Sequence, residues 1–295
     1  MPDFLAEVSR WAEARGSSAW RARDASTILA LVPAVPVALT IAGSDSSGGA
    51  GIQADLLTFA AFGVHGASAL TALTAQNTTG VRGVRAVEPA FVVQQIDAVL
   101  DDLDVRAAKT GMLLRAEVVE AVAERLGARP VPHLVVDPVM VATSGTVLLE
   151  EAAITALRER LVPLATLVTP NLREAEVLTG RPVTTPAEMR AAAYALVAMG
   201  ARAALVKGGH LSGDALDVLC DGRELSEFSA PRIATRSTHG TGCTLSAAIT
   251  AALALGMPLA DAVAEAKAHV TRAIATAPGI GHGMGPVNHR GRRGE

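Results

Sequence analysis

The chain has 295 residues, is 50% hydrophobic and carries a formal net charge of −3, enough for one large core or two small ones. The near-neutral balance and the scarcity of aromatic residues exclude a nucleic-acid surface. Cys220 and Cys243 form no disulfide or metal pattern and suit a reducing cytoplasm. The apolar run over 28–42 is broken by Pro33 and Pro36 and is too short to span a bilayer, and the early acidic residues do not read as a signal peptide.

In chain order, residues 1–34 hold a short amphipathic pattern of Phe4, Leu5, Val8 and Trp11. Two readings stay open for it: a segment packed on the domain or a partner subunit, and a mobile extension. Val37 to Ala42 is a short apolar run ending at Gly43, which predicts a buried parallel strand. Helices follow over 50–62 and 89–102, the second opened by Pro89. Val105–Lys109 predicts a strand, 115–126 a helix, and His133–Val136 a strand ending at Asp137-Pro138. Leu167–Thr169 predicts a strand ending at Pro170-Asn171, followed by a helix over 172–179 that stops at Gly180. Pro186 opens a helix that stops near Gly200, and Ala203–Val206 is a strand ending at Lys207-Gly208-Gly209. A hairpin turns at Asp221-Gly222, and the last helices run over 245–253 and 259–276. The alternation predicts an α/β protein with a mostly parallel sheet and helices on both faces.

In such sheets ligands bind beyond the carboxyl ends of the strands. Here those ends carry Gly43-Ser44-Asp45, Asp137, Asn171 and Lys207-Gly208-Gly209. The glycine-rich stretch 43–51 lacks the ending of a P-loop and the spacing of a dinucleotide fingerprint. It reads as a flexible loop suited to closing over a small ligand. Ser237 to Thr244 (Ser-Thr-His-Gly-Thr-Gly-Cys-Thr) runs into an Ala- and Leu-rich helix. One reading is an anion cradle at a helix start with Cys243 at its mouth. The other is a glycine-rich loop before a core helix, with Cys243 a small buried hydrophobe. Only three of the 26 basic residues are lysines, namely Lys109, Lys207 and Lys267; chance or a need for a compact ammonium explains that bias.

Several motifs in order resemble the hydroxymethylpyrimidine/phosphomethylpyrimidine kinase family of thiamine biosynthesis. They are Thr40 to Asp45, Ser47 to Asp55, Thr74 to Thr78, Lys109 to Leu113, Asp137 to Met140, Thr169 to Leu172 with Glu174-Ala175, Lys207 to His210, and His239 to Cys243. The resemblance runs from about residue 36 to His289. It implies an extension over 1–34, a ribokinase-like three-layer α/β/α sandwich over 35–289, and a basic, disordered tail over 290–295.

The resemblance also implies roles. Asp55 and Gln76 match residues that hydrogen-bond the aminopyrimidine, whose edge offers ring nitrogens and an amine. Read without it, Asp55 is a solvated helix residue and Gln76 a loop residue. Gly43, Met112 and Val139 match pocket-lining positions; core packing is the plain alternative for the last two. Asp137 and Glu174 match the group near Mg²⁺, directly or through water, with helix capping the alternative for Glu174. Asn171, Lys207, Thr238 and the turn Gly240, Thr241 and Gly242 match nucleotide-phosphate contacts. Cys243 stands where many ribokinase-like sugar kinases carry an Asp base. A helix start lowers a thiol pKa and a bound triphosphate raises it, so its charge state stays open.

The implied activity is ATP- and Mg²⁺-dependent phosphorylation of 4-amino-5-hydroxymethyl-2-methylpyrimidine and of its monophosphate, in a cytoplasmic homodimer. The rivals are a pyridoxal or pyridoxine kinase on the same scaffold and a non-catalytic pyrimidine sensor.

Overall fold

The computed structural model describes residues 35–140, 150–209, 211 and 213–291. The extension over 1–34 and tail residues 292–295 lie outside the described residues. The two described tail residues close a turn: the Gly291 N–H donates to Asn288 O at 3.0 Å, and Gly291 is buried.

Among the described residues one nine-stranded sheet organises the chain. Its strands are β1 (Val37–Asp45), β2 (His65–Asn77), β3 (Gly80–Ala86), β4 (Val105–Thr110), β5 (His133–Val136), β6 (Leu167–Val168), β7 (Ala204–Gly208), β8 (Ala215–Cys220) and β9 (Leu225–Ala230). The order is β3-β2-β1-β4-β5-β6-β7-β8-β9. Strands β1, β2, β4, β5, β6 and β7 run parallel, and β3, β8 and β9 make the antiparallel edges. Strand order therefore reverses direction between β1 and β4, the position where open α/β sheets form a ligand crevice.

Side chains alternate across the sheet, as the period of two requires. Leu39, Ile41, Ala108, Leu134 and Val136 share one core with α2 (Pro89–Asp102) and α3 (Ala116–Ala128). That core continues beneath α4 (Glu151–Ala156), α5 (Leu172–Thr179) and α6 (Pro186–Ala198). Ala38, Ala107, Val135 and Leu205 face the other way, onto α1 (Gly51–Ala61), α7 (Thr241–Ala254) and α8 (Leu259–Ala275). The result is the α/β/α sandwich the alternation predicts. Helix α7 is buried at every position from Thr244 to Ala254. A helix buried all round has no solvent face; its Thr244 and Thr250 hydroxyls bond backbone carbonyls, and its small alanines let it lie close to the sheet.

Local signals set the ends. In α5, Asn171 accepts from the Glu174 N–H and Glu174 accepts from the Asn171 N–H, a capping box, and Gly180 closes the helix in the left-handed region. In α6, Thr185 and Glu188 form the same box before Pro186. No described helix is long and apolar enough to cross a membrane.

Candidate active site

The carboxyl ends of β1, β4, β5, β6 and β7 converge on a cavity of about 790 Å³. Gly43, Gln76, Met112, Asp137, Val139, Asn171, Glu174, Lys207, Thr238, Gly240, Thr241, Gly242 and Cys243 all line it. Asp55 does not.

Two irregularities in the sheet lie beside the cavity wall at Ser44 and Gln76. The register between β1 and β2 slips between Ala42 and Ser44, and that between β2 and β3 slips between Ala75 and Gln76. Such bulges re-aim side chains beside functional sites. The Met112 methyl packs directly against Gly43, in the space a Cβ there would take. Gln76 is thus a strand-end residue aimed by a bulge, where sequence alone reads it as a loop.

The expectation that Asp55 hydrogen-bonds the ring needs correction. Asp55 is fully buried in α1. Its oxygens lie 2.9 and 3.0 Å from Lys109 Nζ, and Oδ2 also accepts from the Thr40 hydroxyl at 2.6 Å. Burial pushes Asp55 above the usual carboxylate range, against the pull of Lys109. Burial likewise opposes charge on Lys109, but Asp55, Cys243 and Asp137 together hold the ammonium above its usual value. It is Lys109, not Asp55, that reaches the cavity wall.

The predicted flexible loop at 43–51 is held in place. Asp45 accepts from the Ser47 N–H and hydroxyl at 2.8 Å each, from the Gly49 N–H at 3.2 Å and from His239 at 2.8 Å. Burial opposes the charge, yet the bonds from His239 and Ser47 hold Asp45 below the ordinary carboxylate value. A Cβ at Gly49 would overlap the His239 ring, and one at Gly240 would overlap Gly49 O. Gly240 also sits at φ +78°, a left-handed conformation that glycine alone adopts freely.

No side chain caps the start of α7. The positive end of its dipole opens on the cavity at Gly242 and Cys243. A Cβ at Gly242 would lie 3.4 Å from Lys207 Nζ, so an ammonium stands against the turn. Lys207 bonds Asp137 Oδ1 at 2.9 Å, and Asp137 also accepts from Ser246 and Thr169. Burial works against the Asp137 charge, but Lys207 and Lys109 hold its carboxyl below the usual range. Glu174, buried and near Asp137, is pushed up to about 7 by burial despite Lys207. The capping role of Glu174 and its place on the cavity wall therefore coexist. Burial pushes the Cys243 thiol up to about 11, although Lys109 and the Gly51 N–H pull it down.

All three lysines of the chain line this cavity, each paired with an aspartate. The third pair is Lys267 to Asp217 at 2.7 Å, both on the cavity wall. Lys109 also stands in the motif Lys109 to Leu113, whereas the scarcity of lysine was the one sequence signal for Lys267. Nothing in the sequence pointed to the Asp45–His239 bond. Among the described residues no three His, Cys, Asp or Glu side chains cluster as a metal cage. Two carboxylates, Asp137 and Glu174, do share the wall near the turn. That set suits Mg²⁺, which takes one or two carboxylates and fills its shell with water and phosphate oxygens.

A family model described as phosphomethylpyrimidine kinase matches residues 45–288. The chain is 56% identical over 260 residues to the hydroxymethylpyrimidine/phosphomethylpyrimidine kinase of Rhizobium meliloti, covering 86% of this chain and 96% of that one. It is 54% identical to the thiamine biosynthesis bifunctional protein of Geobacter sulfurreducens, covering 85% of this chain and only 51% of that longer protein. Among solved structures, the phosphomethylpyrimidine kinase of Clostridium difficile superposes with a TM-score of 0.73 at 43% identity, covering 81% of this chain and 99% of that one. An ADP complex of Bacillus subtilis pyridoxal kinase superposes with a TM-score of 0.81 at 39% identity, covering 87% and 98%. The chain belongs to the phosphomethylpyrimidine kinase family, on the ribokinase-like fold.

Proposed function

We propose that this chain transfers the terminal phosphoryl group of ATP to the hydroxymethyl oxygen of 4-amino-5-hydroxymethyl-2-methylpyrimidine, and then to the resulting monophosphate, supplying thiamine biosynthesis. One observation carries the reading. A single cavity is lined by the uncapped start of α7 and Lys207 and also by Gly43, Met112, Val139 and Gln76.

The chemistry follows from those positions. The turn Gly240–Gly242, with Thr238 and Asn171 nearby, holds phosphate oxygens on backbone and side-chain donors. Lys207 places a point charge beside the turn, where negative charge gathers as the phosphoryl group moves. Asp137 and Glu174 would hold Mg²⁺, which neutralises phosphate charge when bound. Met112 and Val139 pack the flat ring while Gln76 meets its polar edge. Cys243, on the cavity wall in the first turn of α7, would orient the attacking hydroxyl. As the new oxygen–phosphorus bond forms, the bond to the ADP oxygen breaks and the hydroxyl proton passes to the Cys243 sulfur in its thiolate form. The loose transition state of phosphoryl transfer tolerates a scarce base, because positioning and charge dominate. A homodimer belongs to the same proposal and is read by light scattering of the purified chain.

The likeness to pyridoxal kinase keeps a second substrate in view, since pyridoxal also offers a hydroxymethyl group on a flat ring. ADP release measured with the pyrimidine alcohol, its monophosphate and pyridoxal separates the readings. Turnover of both pyrimidines with weaker use of pyridoxal supports the proposal. Efficient use of pyridoxal alone overturns it, and ADP release with none of them leaves a binding protein.

A further inference from the structure

The side-chain amide of Gln76 lies between two groups that decide which way it points. On one side Thr74 Oγ1 is 2.8 Å from Ser44 O and 3.4 Å from Gln76 Oε1. A hydroxyl has one proton, and the short contact to Ser44 O takes it. Thr74 therefore offers Gln76 only a lone pair, which asks for the amide NH₂. On the other side His239 Nε2 is 2.8 Å from Asp45 Oδ2 and 3.2 Å from Gln76 Nε2. A ring nitrogen facing an ionised carboxylate carries hydrogen, whether the ring is neutral or charged. His239 Nε2–H therefore asks Gln76 for a carbonyl oxygen. With Oε1 toward Thr74 and Nε2 toward His239, both contacts are mismatched. A half-turn of the amide makes both complementary, and the two ends of the amide differ by only one atom.

We infer that His239 is a positioning residue for substrate choice: its Nε2–H, shared between Asp45 and Gln76, locks the Gln76 carbonyl toward the anion turn and the NH₂ toward Thr74. This rests on the reading that Gln76 meets the pyrimidine edge. The locked amide presents a carbonyl lone pair and an N–H in fixed order. The 4-amino group of the ring then donates on the His239 side, and the adjacent ring nitrogen accepts on the Thr74 side. A substrate lacking the amine leaves the carbonyl unmatched. His239 immediately precedes Gly240 and packs on Gly49. The group that orients the ring-reading amide is thus built into the segment that binds phosphate.

The test compares wild type, His239→Phe, Gln76→Leu and the double variant, using the aminopyrimidine and its 4-deamino analogue. The phenyl ring keeps the packing on Gly49 and removes the N–H. His239→Phe should lower kcat/KM for the aminopyrimidine about tenfold relative to the analogue, with KM for ATP changed less than about twofold. In the double variant the added loss should vanish, because both changes remove one interaction. Equal losses on both substrates, or a further loss in the double variant, overturn the inference. If His239→Phe leaves the ratio unchanged while Gln76→Leu lowers it, the inference fails and the ring-reading role of Gln76 stands. If Gln76→Leu also leaves the ratio unchanged, that role fails as well. Nitrogen NMR of wild type labelled at histidine needs no variant to fold. It should show a protonated Nε2 at His239 at neutral pH, and a bare Nε2 there overturns the inference.

Discussion

Lys109 and Asp55 meet beneath the cavity floor with no solvent exposure on either side chain, the ammonium 2.9 and 3.0 Å from the two carboxylate oxygens. Breaking such a pair strands a buried charge, which costs about 3–5 kcal/mol. Lys109→Met and Asp55→Leu should each lose stability of that order in urea titrations. The double variant should recover a large part of the loss, since it removes both charges. Double-variant losses equal to the sum of the singles would show that the pair is not coupled.

Cys243 faces the cavity with its thiol pushed up to about 11 by burial. If its thiolate accepts the hydroxyl proton, turnover should rise with pH from 7 to 9, because the active form lies on the alkaline side. Cys243→Ala should flatten that rise and lower kcat by about 10²–10⁴-fold, with little change in ATP affinity. A flat wild-type profile across this range removes the sulfur from proton transfer. Alkylation of the free enzyme by iodoacetamide at pH 7 should be correspondingly slow, since the thiolate is the nucleophile.

Glu174 carries a raised carboxyl, about 7 in the folded chain against an ordinary value of 4.5. A raised acid favours the protonated form, so its contribution to stability is fullest below the unfolded value. It falls as pH climbs through the window from 4.5 to about 7. Glu174→Gln keeps an oxygen acceptor for the Asn171 N–H and cannot ionise. Its melting temperature relative to wild type should therefore rise between pH 5 and pH 8. A constant difference across that range would mean that Glu174 is already ionised in the fold.

Gln76→Leu removes the amide that the bulge at Ala75–Gln76 aims into the cavity. The loss of a partner for a buried polar group is worth about 1–3 kcal/mol. Efficiency for the aminopyrimidine should fall about 10- to 100-fold by the usual conversion, and any activity on pyridoxal should fall less. Equal falls on both substrates would mean that the amide does not read the ring, and would favour the pyridoxal reading.

Much of the sandwich was legible because its elements carry their own punctuation. Pro89, the Asn171–Glu174 box with Gly180, and Pro186 mark helix ends that the structure reproduces. Strands β2 and β3 and helix α4 have no counterpart in the sequence reading. β2 is written in Ala, Thr, Leu and Gly, and the edge strand β3 carries Arg82 and Arg85, so neither shows a β-branched run. The cavity wall was legible through motifs at strand ends. What stayed hidden depended on contacts between distant segments. No pattern around Asp55 announces that Lys109 from β4 takes its carboxylate, and none near Asp45 announces His239.

The interlock of Gly49 with His239 and Gly240 joins a loop near the start of the described chain to one near its end. His239 is further tied to the last described stretch, its N–H donating to Gly285 O and its carbonyl accepting from the Val287 N–H. Loop-closure entropy makes such long-range contacts late arrivals in folding. During synthesis the strands β1 to β5 can pair while the turn at Gly240–Gly242 has yet to leave the ribosome. A growing chain therefore lacks a full cavity wall until α7, α8 and the segment through Val287 have emerged, and a ligand of that cavity would stabilise the chain only from that point on.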